Sequence, residues 1–366
     1  MQRAGDTHNF GRSVRLHDEH WVTKPRSTFW EELFLANGSR FRAELDAVLG
    51  DEPIADCMPR LAFARAPDDP GSTLMERLRV EPILSACDLE YALEALGGLL
   101  AISAWFGLED LHSGNVMCGA DKRTGKFVIF PIDIEVAFSD IRLPSNIGLV
   151  HVDHRRQQIS GAAPLFNLIR KAGPKQRMAI PLGYMRTAKR LLLSQTRLVR
   201  ALHKTRGAYR APIRVVLRDT RDYVDHLEDR PLAERIDASP FAPEERVQLD
   251  RGDVPYFFRT LGDSRIRYYR SADLRKTALV SPDWVKTRAR PLLQPKEIFG
   301  LDRRNEALYE QGSMMLAAHF MPRDFHGRIY YRNLFASALK RSMQIQFNSE
   351  TLFKGPRDWS EFIAPL

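Results

Sequence analysis

Asp110-Leu-His112-Ser-Gly-Asn115, then the apolar run Phe127-Val-Ile-Phe-Pro-Ile132, then Asp133-Ile-Glu135 form the stretch on which the reading of this chain turns. The spacing predicts a loop, then a β-hairpin with its turn at Ala120-Asp-Lys-Arg-Thr-Gly125, whose second strand delivers Asp133. Phosphoryl transfer needs a carboxylate to orient the attacking hydroxyl and hard oxygen ligands to hold Mg²⁺ against nucleotide phosphates. Asp110 suits the first task, and Asn115 with Asp133 suits the second. His112 is read as pinning the loop through hydrogen bonds rather than as a base. Glu135, two residues beyond Asp133, is expected on the same side of a strand. It is read as a second metal ligand, an acid/base group or a salt-bridge partner.

Upstream, Asp88 to Phe106 has an acidic first turn and an apolar face that closes on Gly107, which predicts a buried helix. Ser13–His17 and Glu19–Lys24 alternate like two antiparallel strands, and Leu61–Ala64 and Ser72–Leu78 add two more around the turn Pro67–Gly71. Phe29 to Leu49 has helical spacing, with a break allowed at Asn37-Gly38. Residues 1–82 are therefore expected to form a mostly β N-terminal unit, and residues 83–366 a larger, mainly helical one. Downstream, residues 139–182 read as loop-rich. Tyr184 to Leu202 reads as one long amphipathic helix, and Thr220–Leu227 as another. Tyr256-Phe-Phe and Ile266-Arg-Tyr-Tyr269 look like strands, and the tail reads as mixed helix.

Lys24 and Arg26, at the end of an N-terminal strand, are candidates to reach nucleotide phosphates, one as a point charge and one as a bidentate fork. Gly5-Asp-Thr-His8-Asn9-Phe-Gly11 could cover those phosphates, its glycines allowing close backbone approach, or could be an ordinary hairpin lead-in. In Arg214-Val-Val-Leu-Arg218-Asp219-Thr220, one of Asp219 and Thr220 is expected to cap a helix. The two arginines could clamp a phosphate from the side opposite the metal.

The chain has 366 residues and a formal net charge of +9, with 44% hydrophobic and 28% charged residues, an ordinary globular composition. Residues 141–240 hold 20 Lys/Arg against 8 Asp/Glu. That block favours an anionic partner, although solvated helix faces explain it equally well. With no arginine-aromatic interleaving and no finger or helix-turn-helix signature, nucleic acid ranks low. No apolar run approaches bilayer length and no signal-peptide core opens the chain, so a cytoplasmic protein is expected. Cys57, Cys87 and Cys118 are isolated, which argues against a disulfide framework or a structural zinc.

Taken together, Gly5-Asp-Thr-His8-Asn9-Phe-Gly11-Arg12-Ser-Val, Thr23-Lys24-Pro-Arg26, Asp110–Asn115 with Ile132–Glu135, Arg214–Tyr223 and Glu245…Gly252-Asp253-Val-Pro-Tyr256-Phe resemble the dehydratase domain of class II lanthipeptide synthetases, in that family's order. The resemblance implies an α+β, two-lobed protein/lipid-kinase-like fold. It also implies phosphorylation of Ser and Thr in a precursor peptide with ATP and Mg²⁺, followed by phosphate elimination in the same site. Residue by residue, it implies Lys24 as phosphate contact, with Arg26, Gly5, His8, Asn9 and Gly11 around the nucleotide. Asp110 becomes the catalytic aspartate and His112 an organiser. Asn115, Asp133 and Glu135 are implied at the metal, and Arg214 and Thr220 in elimination. The chain starts at the nucleotide-loop motif and has no cyclase domain, so a separate cyclase and an acidic peptide leader are expected partners. Two alternatives remain: a small-molecule kinase without elimination, and an inactive pseudokinase that binds an acidic peptide.

Overall fold

The computed structural model describes residues 7–67, 69, 71–82, 89–141, 144–150, 158–228 and 241–281, with separate positions between 289 and 320. Gly5, Cys87, Asp88 and the tail beyond 320 lie outside the described residues. The fold is mixed α+β, and all strand pairings within its three sheets are antiparallel.

β1 (Arg15–Leu16) and β2 (Trp21–Lys24) form the expected hairpin. The chain then runs through α1 (Phe29–Leu35), α2 (Arg40–Leu49) and α3 (Pro53–Cys57) before β3 (Phe63–Arg65) and β4 (Thr73–Glu76). The first sheet has the order β1-β2-β4-β3, with Lys24 opposite Thr73. Two expectations change here. The helical stretch 29–49 does break at Asn37-Gly38, because Ser39 caps α2 by accepting the Arg42 N–H at 3.1 Å and donates to the Leu33 carbonyl at 2.6 Å. The N-terminal part is also not mostly β, since three helices intervene between β2 and β3. Their apolar faces enter the main core, where Phe34 meets Phe41, Phe106 and Phe130 at ring separations of 5.1–6.0 Å.

β5 (Val80–Glu81) joins β6 (Val116–Asp121) and β7 (Phe127–Pro131) in a second sheet, with α4 (Leu89–Trp105) between β5 and β6 in the chain. The hairpin turn falls at 121–125 as expected. Asp133 and Glu135 follow β7 and lie outside any strand. One continuous hydrophobic core runs from Trp30 to Phe320, across the 82/83 position.

A 3-10 turn (Pro144–Ile147) and α5 (Ala163–Lys171) occupy the region expected to be loop. Pro164 stands in the first turn of α5, where its missing N–H costs nothing. After α6 (Pro174–Arg177), the single helix expected over 184–202 is two: α7 (Ala179–Leu193) and α8 (Gln195–Lys204). Ser194 divides them. Its N–H still bonds the Arg190 carbonyl at 3.1 Å, while its own carbonyl begins α8 by accepting from Leu198 at 3.1 Å. Both helices keep an apolar face inward, so periodicity alone could not reveal the break.

β8 (Ile213–Val215), α9 (Thr220–Leu227), α10 (Pro243–Leu249), β9 (Phe257–Thr260), β10 (Asp263–Tyr269) and β11 (Thr277–Leu279) complete the described chain. Their sheet has the order β11-β10-β9-β8. Among the described residues, no helix is long and apolar enough to cross a membrane.

α4 is buried along almost its whole length because α7 packs directly on it. A Cβ on Gly97 would lie 2.1 Å from the Ile180 carbonyl oxygen, and one on Gly183 would lie 2.2 Å from that of Glu94. Gly97→Ala therefore forces the two backbones apart. Urea denaturation is expected to register a loss of about 1–3 kcal/mol, the usual cost of overpacking.

Candidate active site

α4 ends at Trp105, and the chain turns through Gly107 into the Asp110–Asn115 loop. Asp110 itself sits at φ +62°, a backbone state rare for residues other than Gly, Asn and Asp. The loop holds its own shape. Asn115 donates through Nδ2 to the Asp110 carbonyl at 2.8 Å, its N–H bonds the His112 carbonyl at 2.9 Å, and Ile132 N–H bonds the Asn115 carbonyl at 2.9 Å. The last bond ties the loop to the start of the Asp133 segment. His112 accepts the Gly114 N–H at its Nδ1 (3.0 Å), and its Nε2 stands 3.9 Å from Asp110 Oδ1. Both contacts lie within the loop itself. Desolvation by the cavity walls raises the Asp110 carboxyl above its ordinary value, opposed chiefly by the Arg214 charge and then by His112.

The electrostatic centre is Arg26. Its guanidinium meets Glu31, Asp133 and Glu135, and it also donates to the Ser27 carbonyl at 2.8 Å. Lys24 Nζ lies 3.1 Å from the same Asp133 Oδ1 that Arg26 engages. Burial drives the Asp133 carboxyl upward, but Lys24 and then Arg26 overcome it and hold Asp133 well below the usual carboxylate range. Glu135 is likewise lowered against its burial, by Arg26 and then Arg214. Glu31, with no exposed surface, is raised by burial despite Arg26. Sequence reasoning missed Glu31, because an acidic residue in a helix's first turn looks like ordinary dipole complementation.

Arg214, on β8, donates to Glu135 Oε2 at 2.7 Å, and its N–H bonds the Glu135 carbonyl at 2.8 Å. Arg218 does not join it. Its guanidinium is buried against Glu245 at 3.2 Å, beside the Tyr223 hydroxyl, which donates to the same carboxylate oxygen at 2.6 Å. The two arginines therefore do not meet at one point, because Arg214 lies in a strand while Arg218 turns toward α10. Asp219 caps α9 by accepting the Arg221 N–H at 3.0 Å, so capping does not occupy the Thr220 hydroxyl.

The N-terminal loop is held by a segment that sequence reasoning left without a role. The N–H groups of Phe10 and Gly11 both donate to the Asp253 carboxylate at 2.7 Å, from residues at φ +73°. Arg251 lies 4.0 Å over the Phe10 ring, Val254 N–H bonds the Thr7 carbonyl, and His8 Nδ1 contacts the Val254 carbonyl at 2.7 Å. Gly11 therefore departs from its expected role: its amide is committed to a carboxylate of the protein itself. His8 and Asn9 face the cavity, while Gly5 lies outside the described residues.

His8, Asn9, Lys24, Arg26, Asp110, His112, Asn115, Asp133, Glu135, Arg214 and Thr220 line one cavity of about 1510 Å³. The same cavity is also lined by Leu16, Val22, Met75, Leu78, Val80, Met117 and Ile132, interleaved with Arg77, Arg79 and Lys122. Leu78 lies between β4 and β5, and neither its N–H nor its carbonyl is engaged among the described residues. A flat heteroaromatic edge with an adjacent donor and acceptor suits such a wall. The donor set also suits Mg²⁺. Asp133 spends Oδ1 on the cations, while its Oδ2 and Asn115 Oδ1 have no partner among the described residues. Mg²⁺ characteristically takes one or two such oxygens and completes its shell with phosphates and water. No cluster of three or more His, Cys, Asp or Glu able to enclose a metal occurs among the described residues.

No protein-family model matches the chain, and no curated protein matches it at a significant level.

Arg26→Met leaves three carboxylates without their shared cation. The expected loss of stability in urea at neutral pH is about 3–5 kcal/mol, the range for breaking a buried charge pair. Asp133 and Glu135 have lowered native values, so their stabilisation is present above the ordinary carboxylate range and fades as pH falls through the native ones. The deficit of Arg26→Met should accordingly shrink toward acid pH, where the carboxylates take up protons.

Proposed function

We propose that the protein is an ATP- and Mg²⁺-dependent enzyme of two-lobed, kinase-like build that phosphorylates Ser and Thr of a peptide and then eliminates the phosphate. The observation that carries this reading is the convergence of Lys24, Arg26, Asp110, Asn115, Asp133 and Arg214 on one cavity that Leu78, Val80 and Met117 also line. The first sheet and the β5–β7 sheet flank that cavity, which supports a nucleotide lying between them with its base against Leu78 and Met117 and its phosphates toward Lys24.

Asp133 Oδ2 and Asn115 Oδ1 would hold Mg²⁺. When bound, the ion neutralises charge developing on the transferred phosphoryl group. Asp110 orients the Ser or Thr hydroxyl and takes its proton as the new O–P bond forms and the terminal phosphoanhydride bond of ATP breaks. Lys24, buried and fixed by Asp133, presents a point charge to the phosphates. Asp110 then releases that proton to solvent; in the second step it takes the Cα proton, the C–H bonding pair becomes the Cα=Cβ bond, and the Cβ–O pair leaves on phosphate. Arg214, held by Glu135, lies where it can neutralise that charge. Ser yields dehydroalanine and Thr dehydrobutyrine. The reading includes a cytoplasmic setting, an acidic peptide leader and a separate protein for any cyclisation.

Incubation with ATP, Mg²⁺ and Ser/Thr-containing candidate precursor peptides, followed by mass spectrometry, tests the reading. Loss of water with a transient phosphopeptide is expected. Stable phosphorylation with no dehydration would instead favour a kinase alone. A second reading draws on the pairing of Asp133 and Glu135 with three cations: a protein that binds an acidic peptide without turnover. Binding with no ATP consumption would favour it.

The pH profile gives a separate check. Asp110 must be ionised to act, and its carboxyl is raised, so the acid limb of phosphorylation should lie above the ordinary aspartate range. Arg214 is the main charge opposing that rise. Arg214→Met should therefore move the limb of the phosphorylation step to still higher pH, read from initial rates of phosphopeptide formation.

A further inference from the structure

We propose that the Tyr256 hydroxyl is a catalytic hydrogen-bond donor to the phosphate as it leaves the peptide, acting beside Arg214; this rests on the reading of the site as one that phosphorylates and then eliminates. Tyr256 lines the cavity and is only 4% exposed. Its hydroxyl makes no hydrogen bond among the described residues. A buried phenol normally finds a partner, and one that does not while lining a polar cavity is placed to serve a ligand.

The ring is fixed from several sides. Arg214 lies 5.6 Å from its centroid, the His8 ring meets it edge-on at 5.9 Å, and Tyr269 stacks near it at 6.4 Å. Its N–H bonds Gln248 Oε1 at 2.9 Å. This pre-positioned donor shares its side of the cavity with Arg214, whereas Lys24 engages Asp133. Glu135 links the two groups, giving Oε1 to Arg26 and Oε2 to Arg214. Burial, and then the neighbouring Glu135, hold the phenol well above its ordinary value, so it remains protonated and a donor.

The elimination step needs such a donor. As the Cα–H pair becomes the Cα=Cβ bond and the Cβ–O bond breaks, the electron pair and a full additional charge pass to an already dianionic phosphate. Tyr256 keeps its proton and donates a hydrogen bond to that oxygen, and phosphate takes up a solvent proton as it departs. A donor aimed where charge develops contributes about a hundredfold in rate. Phosphorylation, completed on the Asp133 side, does not require it.

Tyr256→Phe removes the hydroxyl and leaves the ring under Arg214. With a peptide that the wild type dehydrates, the expected result is phosphorylation near the wild-type rate. Elimination should be slower by about tenfold to a hundredfold, so that phosphopeptide accumulates. Calorimetric titration of the ATP-free protein with inorganic phosphate should give binding weaker by about fivefold to tenfold, from loss of one hydrogen bond. Wild-type elimination or unchanged phosphate affinity in Tyr256→Phe would overturn the proposal. Should the wild type itself neither phosphorylate nor dehydrate any peptide, the parent reading fails, and the phosphate titration still decides whether Tyr256 is a phosphate ligand.

Discussion

The arrangement around the cavity depends on one guanidinium. Arg26 follows β2 by two residues and meets Glu31 from the first turn of α1 and both Asp133 and Glu135 from the segment after β7. Those three carboxylates come from parts of the chain about a hundred residues apart. Without Arg26 their proximity would be strongly repulsive, and with it each is fixed in direction. Arginine suits this task because its planar fork offers five donors and never loses its charge. Glu135 extends the network by one step, since its second oxygen is held by Arg214 on β8. The sheet that carries Lys24 and the sheet that carries Arg214 are thereby registered against the same pair of acidic residues.

A second connection acts through backbone geometry. Asn9, Phe10 and Gly11 adopt positive φ in succession, which turns the N–H groups of Phe10 and Gly11 toward one point. Such concave amide pairs are anion sites. Here the anion is Asp253, fully buried, from the turn after α10. Val254, two residues before Tyr256, donates its N–H to the Thr7 carbonyl, and its own carbonyl accepts from His8 Nδ1. The segment 251–256 therefore fixes the N-terminal loop and also fixes the ring that faces Arg214. A loop built this way is a rigid wall of the cavity, and His8 and Asn9 are held at the cavity by contacts made outside it.

Much of the site was legible because its residues follow local rules. Asp110, Asn115 and Asp133 lie on a loop and just after the hairpin that follows it, and hairpins are announced by their turn and their apolar strands. Lys24 ends a strand whose alternation was plain. What stayed hidden depended on contacts distant in sequence. Glu31 looks like any acidic residue at a helix start, and only the fold reveals that it is buried beneath Arg26. Arg214 and Arg218 share a spacing of four, which suggested one face. A strand end lies between them, however, and sends them to different partners. Ser194 splits a helix whose apolar stripe continues without interruption, and Pro164 opens a helix where punctuation had suggested a loop. In each case a local pattern compatible with two structures was decided by packing.

Glu135 carries the chemical consequence of these constraints. A carboxylate bound on one oxygen only can rotate or be drawn to a metal, whereas Glu135 is held on both, by Arg26 and by Arg214. Each of its oxygens thus has its own cation. On the proposed reading, that division separates the two requirements of a site that first adds and then expels a phosphate. Transfer needs positive charge at the nucleotide, which Lys24 supplies beside Asp133. Expulsion needs donors around the product phosphate, where Arg214 and Tyr256 stand together. Asp110 faces both, with its carboxyl raised by desolvation and restrained by Arg214, the group that the second step would draw toward phosphate. As the arginine's charge turns to the phosphate, its hold on Asp110 weakens and the carboxylate becomes a stronger base when the Cα proton must be taken. One ion pair would then time the acid/base demands of both steps without any movement of the backbone.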